Sequence, residues 1–475
     1  MTDHPADYPM WIGGEAVRTA NPQSIRVPFD NSIAGTIYQA SSEHVEAAIE
    51  AARKTCSAMR ATSRHERATI LSKAQAILTA RREEMARIIA SESGKPIREA
   101  RTEVDRGIFT LLFSAEEAHR LHGEEVPMDA HPGGKGKTGI TIREPLGVIA
   151  AITPFNFPLN LSLHKIAPAI AAGNTVVHKP ASATPISALL LAQIFHEAGL
   201  PAGALNVVTG PGAVIGDALI FDPRIAMITF TGSPDVGQRI RNLAGMKRVT
   251  LELGSNSAVI VEPDADLDKA IPRCVAGAFA HSGQVSISIQ RIYVHEAIHD
   301  EFAARLAEAA SRLRIGHPQE ETTEVSSLIA ESEAQRVECW IGEARDAGAK
   351  IVTGGRRRGA TLEPAVLTGV PGDAKLSAKE AFGPVVIVNS YKTLDDAVAM
   401  VNASDYGLQA GMYTRDIDKA FRTARQVHVG GFHINEIPAF RVDQMPYGGV
   451  RLSGSGREGP RYAVEEMTEL KLITW

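Results

Sequence analysis

Cysteine is scarce: Cys56, Cys274 and Cys339 are the only three in 475 residues. They are too few and too scattered for a disulfide framework, and they lack the spacing of zinc ligands. Their odd number suits a reducing compartment, so a cytoplasmic location is expected. No apolar run reaches the ~20 residues that cross a bilayer, and Met1-Thr2-Asp3-His4-Pro5 has neither the basic nor the apolar part of a secretory leader. Charge of one sign is not concentrated either. The 50 Lys and Arg are interleaved with 55 Asp and Glu for a net of −5, leaving no basic stripe to follow a phosphate backbone. Membranes and nucleic acids are therefore not expected partners.

What is present is a long chain, 44% apolar, which implies two or three packed units. Trp11-Ile12-Gly13-Gly14-Glu15-Ala16-Val17 reads as a short edge hairpin. A helical region follows. Ser42 is placed to cap Glu43 to Arg60, Ser63 to cap a helix from about His65 to Arg82, and Glu83 to Glu92 continues until Gly94-Lys95-Pro96 interrupts. A further helix spans roughly Glu99 to Leu121. Arg106 on it reads as a surface or ion-pair residue, with a pocket-lining role as the alternative. Residues 121–144 show little periodicity before an alternating strand, Thr138 to Arg143. Leu470 to Trp475 is a plausible strand to cover its edge.

From Gly147 the pattern alternates strand and helix. Val148–Ile152, Thr175–His178, Leu205–Val208, Met227–Phe230 and Arg248–Leu251 are candidate parallel strands, with helices near 159–172, 185–198, 213–219 and 234–243. This predicts a doubly wound sheet with ligands beyond the strand C-termini. After Glu252 a second alternation predicts another α/β unit with its own parallel sheet, and an active site in the crevice between the two.

Chemistry-bearing residues cluster at those strand ends. Asn156, in Thr153-Pro154-Phe155-Asn156-Phe157-Pro158, offers an uncharged N–H₂ that suits an oxyanion, although Asn is also a common turn former. Lys179 follows the second strand, with Ser182 just beyond. Phe230-Thr231-Gly232-Ser233-Pro234 is a glycine turn entering a helix, where backbone N–H groups can receive a pyrophosphate. Its Gly-x-x-x-x-Gly spacing is not the dinucleotide fingerprint and is weak by itself. Leu251-Glu252-Leu253-Gly254 and Gly283-Gln284-Val285-Ser286-Ile287-Ser288 place a carboxylate and a hydroxyl in loops, and Glu380-Ala381-Phe382-Gly383-Pro384 follows in the second unit.

Taken together, in this order and spacing, these stretches resemble the aldehyde dehydrogenase superfamily along nearly the whole chain. The resemblance implies an α/β fold with a Rossmann-type cofactor domain over residues 1–122 and 145–250. It also implies an α/β catalytic domain over 251–445 and a β-hairpin oligomerisation arm over 123–144 and 456–475. It further implies a homodimer or homotetramer, an aldehyde substrate, and NAD or NADP as cofactor. By the same resemblance Asn156 is the oxyanion donor, Glu252 the general base, and Ser286 stands where the family has a cysteine nucleophile. Ile152, Pro154, Lys179, Ser182, Gly212, Phe230, Gly232, Ser233, Leu253, Glu380 and Phe382 are the implied cofactor contacts. Many NAD-preferring relatives carry a glutamate at the Ser182 position, so its loss makes NADP admissible.

Oxidising an aldehyde by hydride transfer first requires a tetrahedral adduct, which a thiolate supplies, and the thioester that follows is readily hydrolysed. Ser286 is far less acidic, and the loop lacks the Gly-x-Ser-x-Gly elbow of a serine hydrolase. The expectation is an otherwise intact dehydrogenase inactivated at Ser286. The alternatives are a silent dinucleotide-binding pseudoenzyme and a CoA-acylating dehydrogenase, the latter opposed by Glu252. With Phe157 and Val285 apolar, an anionic substrate has only Arg106, His164 or Arg441 as anchors. His164 reads as structural, so a small aliphatic or hydroxylated aldehyde is expected.

Overall fold

A few helix starts in this chain are set by side chains that take up the first free backbone N–H groups. Residues 6–475 are described by the computed structural model; Met1 to Pro5, read above for a leader, lie outside them. A hairpin, β1 (Met10–Ile12) and β2 (Glu15–Val17), precedes four helices: α1 (Ser42–Ala61), α2 (Arg64–Ala80), α3 (Arg82–Ser93) and α4 (Ile97–Arg120). Ser63 and Glu66 form the expected reciprocal cap of α2. The cap of α1 is Ser41, not Ser42, because Ser41 Oγ lies 2.6 Å from His44 Nδ1 and the Ser41 N–H donates to the same ring. Gly94, at φ +73°, stops α3 in the left-handed region that glycine tolerates.

Next come β3 (Gly139–Pro145), β4 (Val148–Ile152), α5 (Asn160–Ala172), β5 (Thr175–Lys179), α6 (Ile186–Glu197), β6 (Leu205–Val207), α7 (Gly212–Phe221), β7 (Ile225–Thr231), α8 (Pro234–Leu243) and β8 (Arg248–Glu252). Their parallel sheet runs β6-β5-β4-β7-β8 in space, with the β1–β2 hairpin along β6 and Gly454–Ser455 along β8. The strand order reverses between β4 and β7, the switch point where doubly wound sheets bind ligands. Register brings Ile152 beside both Lys179 and Phe230, and Thr231 beside Glu252. Every residue of α5 is buried. It packs closely on α4 at Gly107, where an added Cβ would lie 2.9 Å from Leu163 Cδ1.

The second sheet is built from β9 (Ala258–Val261), α9 (Leu267–Phe279), β10 (Arg291–His295), α10 (His299–Ser311), α11 (Glu331–Asp346), β11 (Lys350–Thr353), β12 (Ala365–Thr368), β13 (Val385–Tyr391), α12 (Leu394–Asn402), β14 (Gln409–Tyr413), α13 (Ile417–Gln426) and β15 (Gly431–Ile434). Its order is β11-β12-β13-β10-β9-β14-β15. It is not wholly parallel as expected, since β11 runs antiparallel to β12, the two joined by residues 354–364. The periodicity reading also passed over α11 and β14. The last strand, β16 (Thr468–Thr474), pairs antiparallel with β3, Leu470 opposite Arg143, as anticipated. The helix Pro460–Glu466 just before it packs on α4 and α5 instead of joining that ribbon. No helix among the described residues is long and apolar enough to cross a membrane.

Candidate active site

The β4–α5 loop, stiffened by Pro154 and Pro158, carries Asn156 in a buried position. Its Nδ2 donates to Gln284 O at 2.8 Å, so one N–H ties this loop to the turn bearing Ser286, and the amide carries a second N–H that can donate. The loop is held from below. Glu103 Oε1 accepts from the N–H groups of Leu159 and Asn160 at 3.0 and 3.1 Å, capping α5 from a different helix. Lys95 pairs with the other oxygen of Glu103 and sits 3.7 Å above the Phe157 ring.

The turn after α9 is strained. His281, Ser282 and Gly283 have φ of +47°, +55° and +72°. Each of the two non-glycine residues costs about 1–3 kcal/mol in that region. The His281 N–H donates to Glu99 Oε2 at 2.7 Å, the Ser282 hydroxyl to Ser326 O at 2.9 Å, and Gln284 Oε1 accepts from the Ile329 N–H at 2.9 Å. Gly283 has no substitute, because a Cβ there would collide with the Gly383 carbonyl. Ser286 emerges half-buried from this turn. His281 is no base for it: burial, then the Lys95 charge, hold its pKa well below the usual imidazole value. Its ring packs edge-on against Phe157.

Glu252, the last residue of β8, is buried with neither carboxylate oxygen hydrogen-bonded. Burial, reinforced by the nearby Glu458 charge, pushes its pKa well above the usual carboxylate range, against the pull of Arg441, Lys165 and Arg457. A carboxylate whose proton affinity is raised in this way is suited to take a proton as a general base. Asn156, Glu252 and Ser286 line one cavity of about 970 Å³, together with Arg106, Arg441 and Tyr447.

Behind Arg106 and Arg441 lies a network of buried ion pairs that was not anticipated. Glu458 accepts from Lys165 Nζ at 2.7 Å and from Arg441 Nη2 at 3.0 Å. Asp443 accepts from Arg106 Nη2 at 2.8 Å and Asn160 Nδ2 at 2.9 Å, and His164 Nε2 lies 3.0 Å away. Arg106 is thus both ion-paired and pocket-lining, and His164 is structural. Arg441 lies 3.6 Å over the Tyr447 ring, and its Nε–H is buried without an acceptor. The one available signal was Lys165, a cation inside an otherwise apolar helix pattern; Asp443 and Glu458 carried none.

The implied cofactor contacts gather at the carboxyl end of the first sheet. Ile152, Lys179 and Phe230 are strand-end neighbours. Lys179 Nζ donates only to the carbonyl of Pro180, at 3.0 Å, and burial lowers its pKa to about 8. Gly212 opens α7 against the Lys179 stem. Ser182 donates to Gly210 O at 2.9 Å. At α8 the exposed Ser233 makes no capping bond, so the first N–H groups of that helix stay open, and Gly232 beside it has no room for a side chain against the Phe230 ring. Leu253 lines the cavity next to Glu252. From the second unit Glu380 accepts from the Ser255 N–H at 2.9 Å, with burial raising its pKa to about 7. Phe382, at φ +49°, meets Phe155 edge-on at 5.8 Å. A switch point, an open helix start and a lysine with spare donors fit an adenine dinucleotide.

The aldehyde dehydrogenase family model matches residues 16–473. The 3-sulfolactaldehyde dehydrogenase of Priestia megaterium is 48% identical over 467 residues, which cover 98% of this chain and 97% of that protein. The structure of aldehyde dehydrogenase 21 from Physcomitrella patens in complex with the reaction product succinate superposes with a TM-score of 0.97 at 41% identity, covering 99% of this chain and 98% of that one. The NADP-dependent glyceraldehyde-3-phosphate dehydrogenase of Bacillus halodurans, complexed with NADP, gives 0.96 at 36% identity over 99% of both chains. With a match of this extent, and with Asn156, Glu252 and Ser286 on one cavity, the chain belongs to the aldehyde dehydrogenase family, oxidoreductases that oxidise aldehydes with NAD or NADP.

Proposed function

We propose that this site takes a short aldehyde with an anionic end and oxidises it to the acid when residue 286 is a thiol, and that with Ser286 it binds substrate and cofactor without turnover. One observation carries the substrate class: Arg106 and Arg441 share the cavity with Asn156 and Glu252, and the Arg441 Nε–H has no acceptor. A buried, unpaired guanidinium donor is costly unless a ligand anion meets it. This revises the expectation of a neutral aldehyde, which rested on the apolar Phe157 and Val285. The sulfonate and carboxylate relatives described above support the revision.

In the proposed mechanism the free N–H of Asn156 and the backbone N–H of residue 286 hold the carbonyl oxygen as it becomes an oxyanion. Lys179, Ser182 and the open start of α8 would hold the dinucleotide, which would supply the hydride acceptor for the tetrahedral carbon. Glu252 takes a proton from the water that hydrolyses the resulting thioester. A serine hydroxyl, without a base of its own, does not start this sequence. For the cofactor, Ser182 leaves no carboxylate to repel a 2′-phosphate and Lys179 has donors to spare, which favours acceptance of NADP. Three free cysteines fit a reducing cytoplasm. Leu470, Leu472 and Trp475, 60%, 54% and 66% exposed beside β3, suit burial against a second copy in a homodimer or homotetramer, which light scattering reads directly.

The test is Ser286→Cys, assayed by nicotinamide reduction with anionic and neutral aldehydes of equal length. A rise of about 10³-fold or more is expected, with anionic substrates preferred and free acid as the product without CoA. No gain with any aldehyde would make the chain a silent binder; a product that forms only with CoA would make it an acylating enzyme.

A further inference from the structure

One face of α4 reaches three of the segments that build the site. Glu99, Glu103 and Arg106 are spaced by four and three residues, so their side chains share a face. Glu103 holds the Asn156 loop through the N–H groups of Leu159 and Asn160, and Arg106 holds the closing segment through Asp443. Glu99 holds the remaining segment, through the His281 N–H at 2.7 Å. Its other oxygen is absent from the buried, unpartnered atoms and its residue is part-exposed on the cavity, so Glu99 spans from the nucleophile turn to the substrate space.

The position of that bond matters. His281 begins the run of three left-handed residues that ends two positions before Val285, and the run survives only where its surroundings hold it. Downstream anchors exist: the Ser282 hydroxyl on Ser326, and Gln284 between Asn156 and Ile329. Upstream of them, the Glu99 carboxylate is the side-chain acceptor that fixes where the run starts. We propose that Glu99 is a positioning residue for the nucleophile turn, holding His281 in its left-handed conformation and thereby setting where residue 286 meets the carbonyl carbon. This rests on residue 286 being the nucleophile position, as proposed above. The groups facing Glu99 are Lys95 just before α4, Arg98 on α4 itself, and His281 on the turn; burial raises its pKa to about 7, against the pull of Lys95, the His281 N–H and Arg98.

The first arm of the experiment needs no activity. Hydrogen exchange of the segment 280–288 is compared in the chain as it stands, in Glu99→Ala and in Glu99→Gln. The alanine variant is expected to exchange there about tenfold faster or more, while α9 and β10 on either side exchange as before. The glutamine variant, which keeps an acceptor for the His281 N–H, is expected to match the parent. The second arm adds each change to Ser286→Cys and follows iodoacetamide alkylation at position 286, with Cys339 as the exposed internal reference. Alanine is expected to slow alkylation about fivefold or more, and glutamine to restore it and to flatten any dependence on pH near 7. Unchanged exchange or alkylation in Glu99→Ala, or a glutamine variant as impaired as alanine, overturns the proposal. Failure of Ser286→Cys to oxidise aldehydes would instead overturn the functional reading and leave the exchange result standing.

Discussion

The end of β8 and the closing segment near residue 458 each bury a carboxylate in the same interior, with opposite results. Glu252 has no hydrogen-bond partner, and burial drives its pKa up. Burial acts the same way on Glu458, but Lys165, Arg441 and His164, with the Lys165 hydrogen bond, outweigh it and bring the pKa down to about 2. A few ångströms of cation placement thus separate a permanent anion from a group that exchanges protons. The permanent one is structural, and it raises the other.

The sharpest way to break this pairing is Glu252→Gln in the Ser286→Cys background. Steady-state turnover is expected to fall about 10²–10⁴-fold, with a burst of one nicotinamide reduced per site because acylation survives hydrolysis. Lys165→Met comes next. It leaves Glu458 buried without its lysine partner, which should cost about 3–5 kcal/mol in denaturant unfolding. It also withdraws a cation that pulls Glu252 down, so the limb of the rate profile that reports Glu252 should move to higher pH. Arg441→Lys should reduce kcat/KM for an anionic aldehyde about 10- to 100-fold and leave a neutral aldehyde of equal length nearly unaffected, since lysine lacks the unpaired Nε–H.

The smallest effect is on stability against pH, and its sign differs between the two acids. Glu458, depressed from an ordinary 4.5 to about 2, contributes stability above pH 4.5 that is lost as pH falls toward 2. Glu252, raised, favours the folded state below 4.5 and loses that contribution as pH climbs through its folded pKa. The unfolding free energy of Glu252→Gln, from urea titration, should therefore rise relative to the parent as pH passes above 4.5, by up to about 1.4 kcal/mol per pH unit within that window. A flat difference would mean that Glu252 is not desolvated as described.

The same contrast explains what could be read early. Asn156, Glu252, Ser286 and Glu380 lie in short segments whose wording and order carry the family resemblance, and the strand alternation around them is period-true, so these segments could be singled out in advance. The Ser41 cap was missed by one residue because two adjacent serines offer the same hydroxyl and only the reach to His44 chooses between them. Strand β14 and helix α11 were missed because their apolar spacing is weak until neighbouring strands and helices supply the burial.

From sequence alone came the α/β alternation and the loops at the strand ends, while the family resemblance of the motifs in those loops implied the cofactor class. These are local properties, since hydrophobic period, turn chemistry and motif order all act over a few residues. Tertiary structure alone decided the charge of the site. Lys165 and Glu458 are 293 residues apart, and Arg106 and Asp443 are 337 apart. No periodicity links them, and only folding brings cation to carboxylate in an interior where desolvation makes each partner's presence decide the other's protonation.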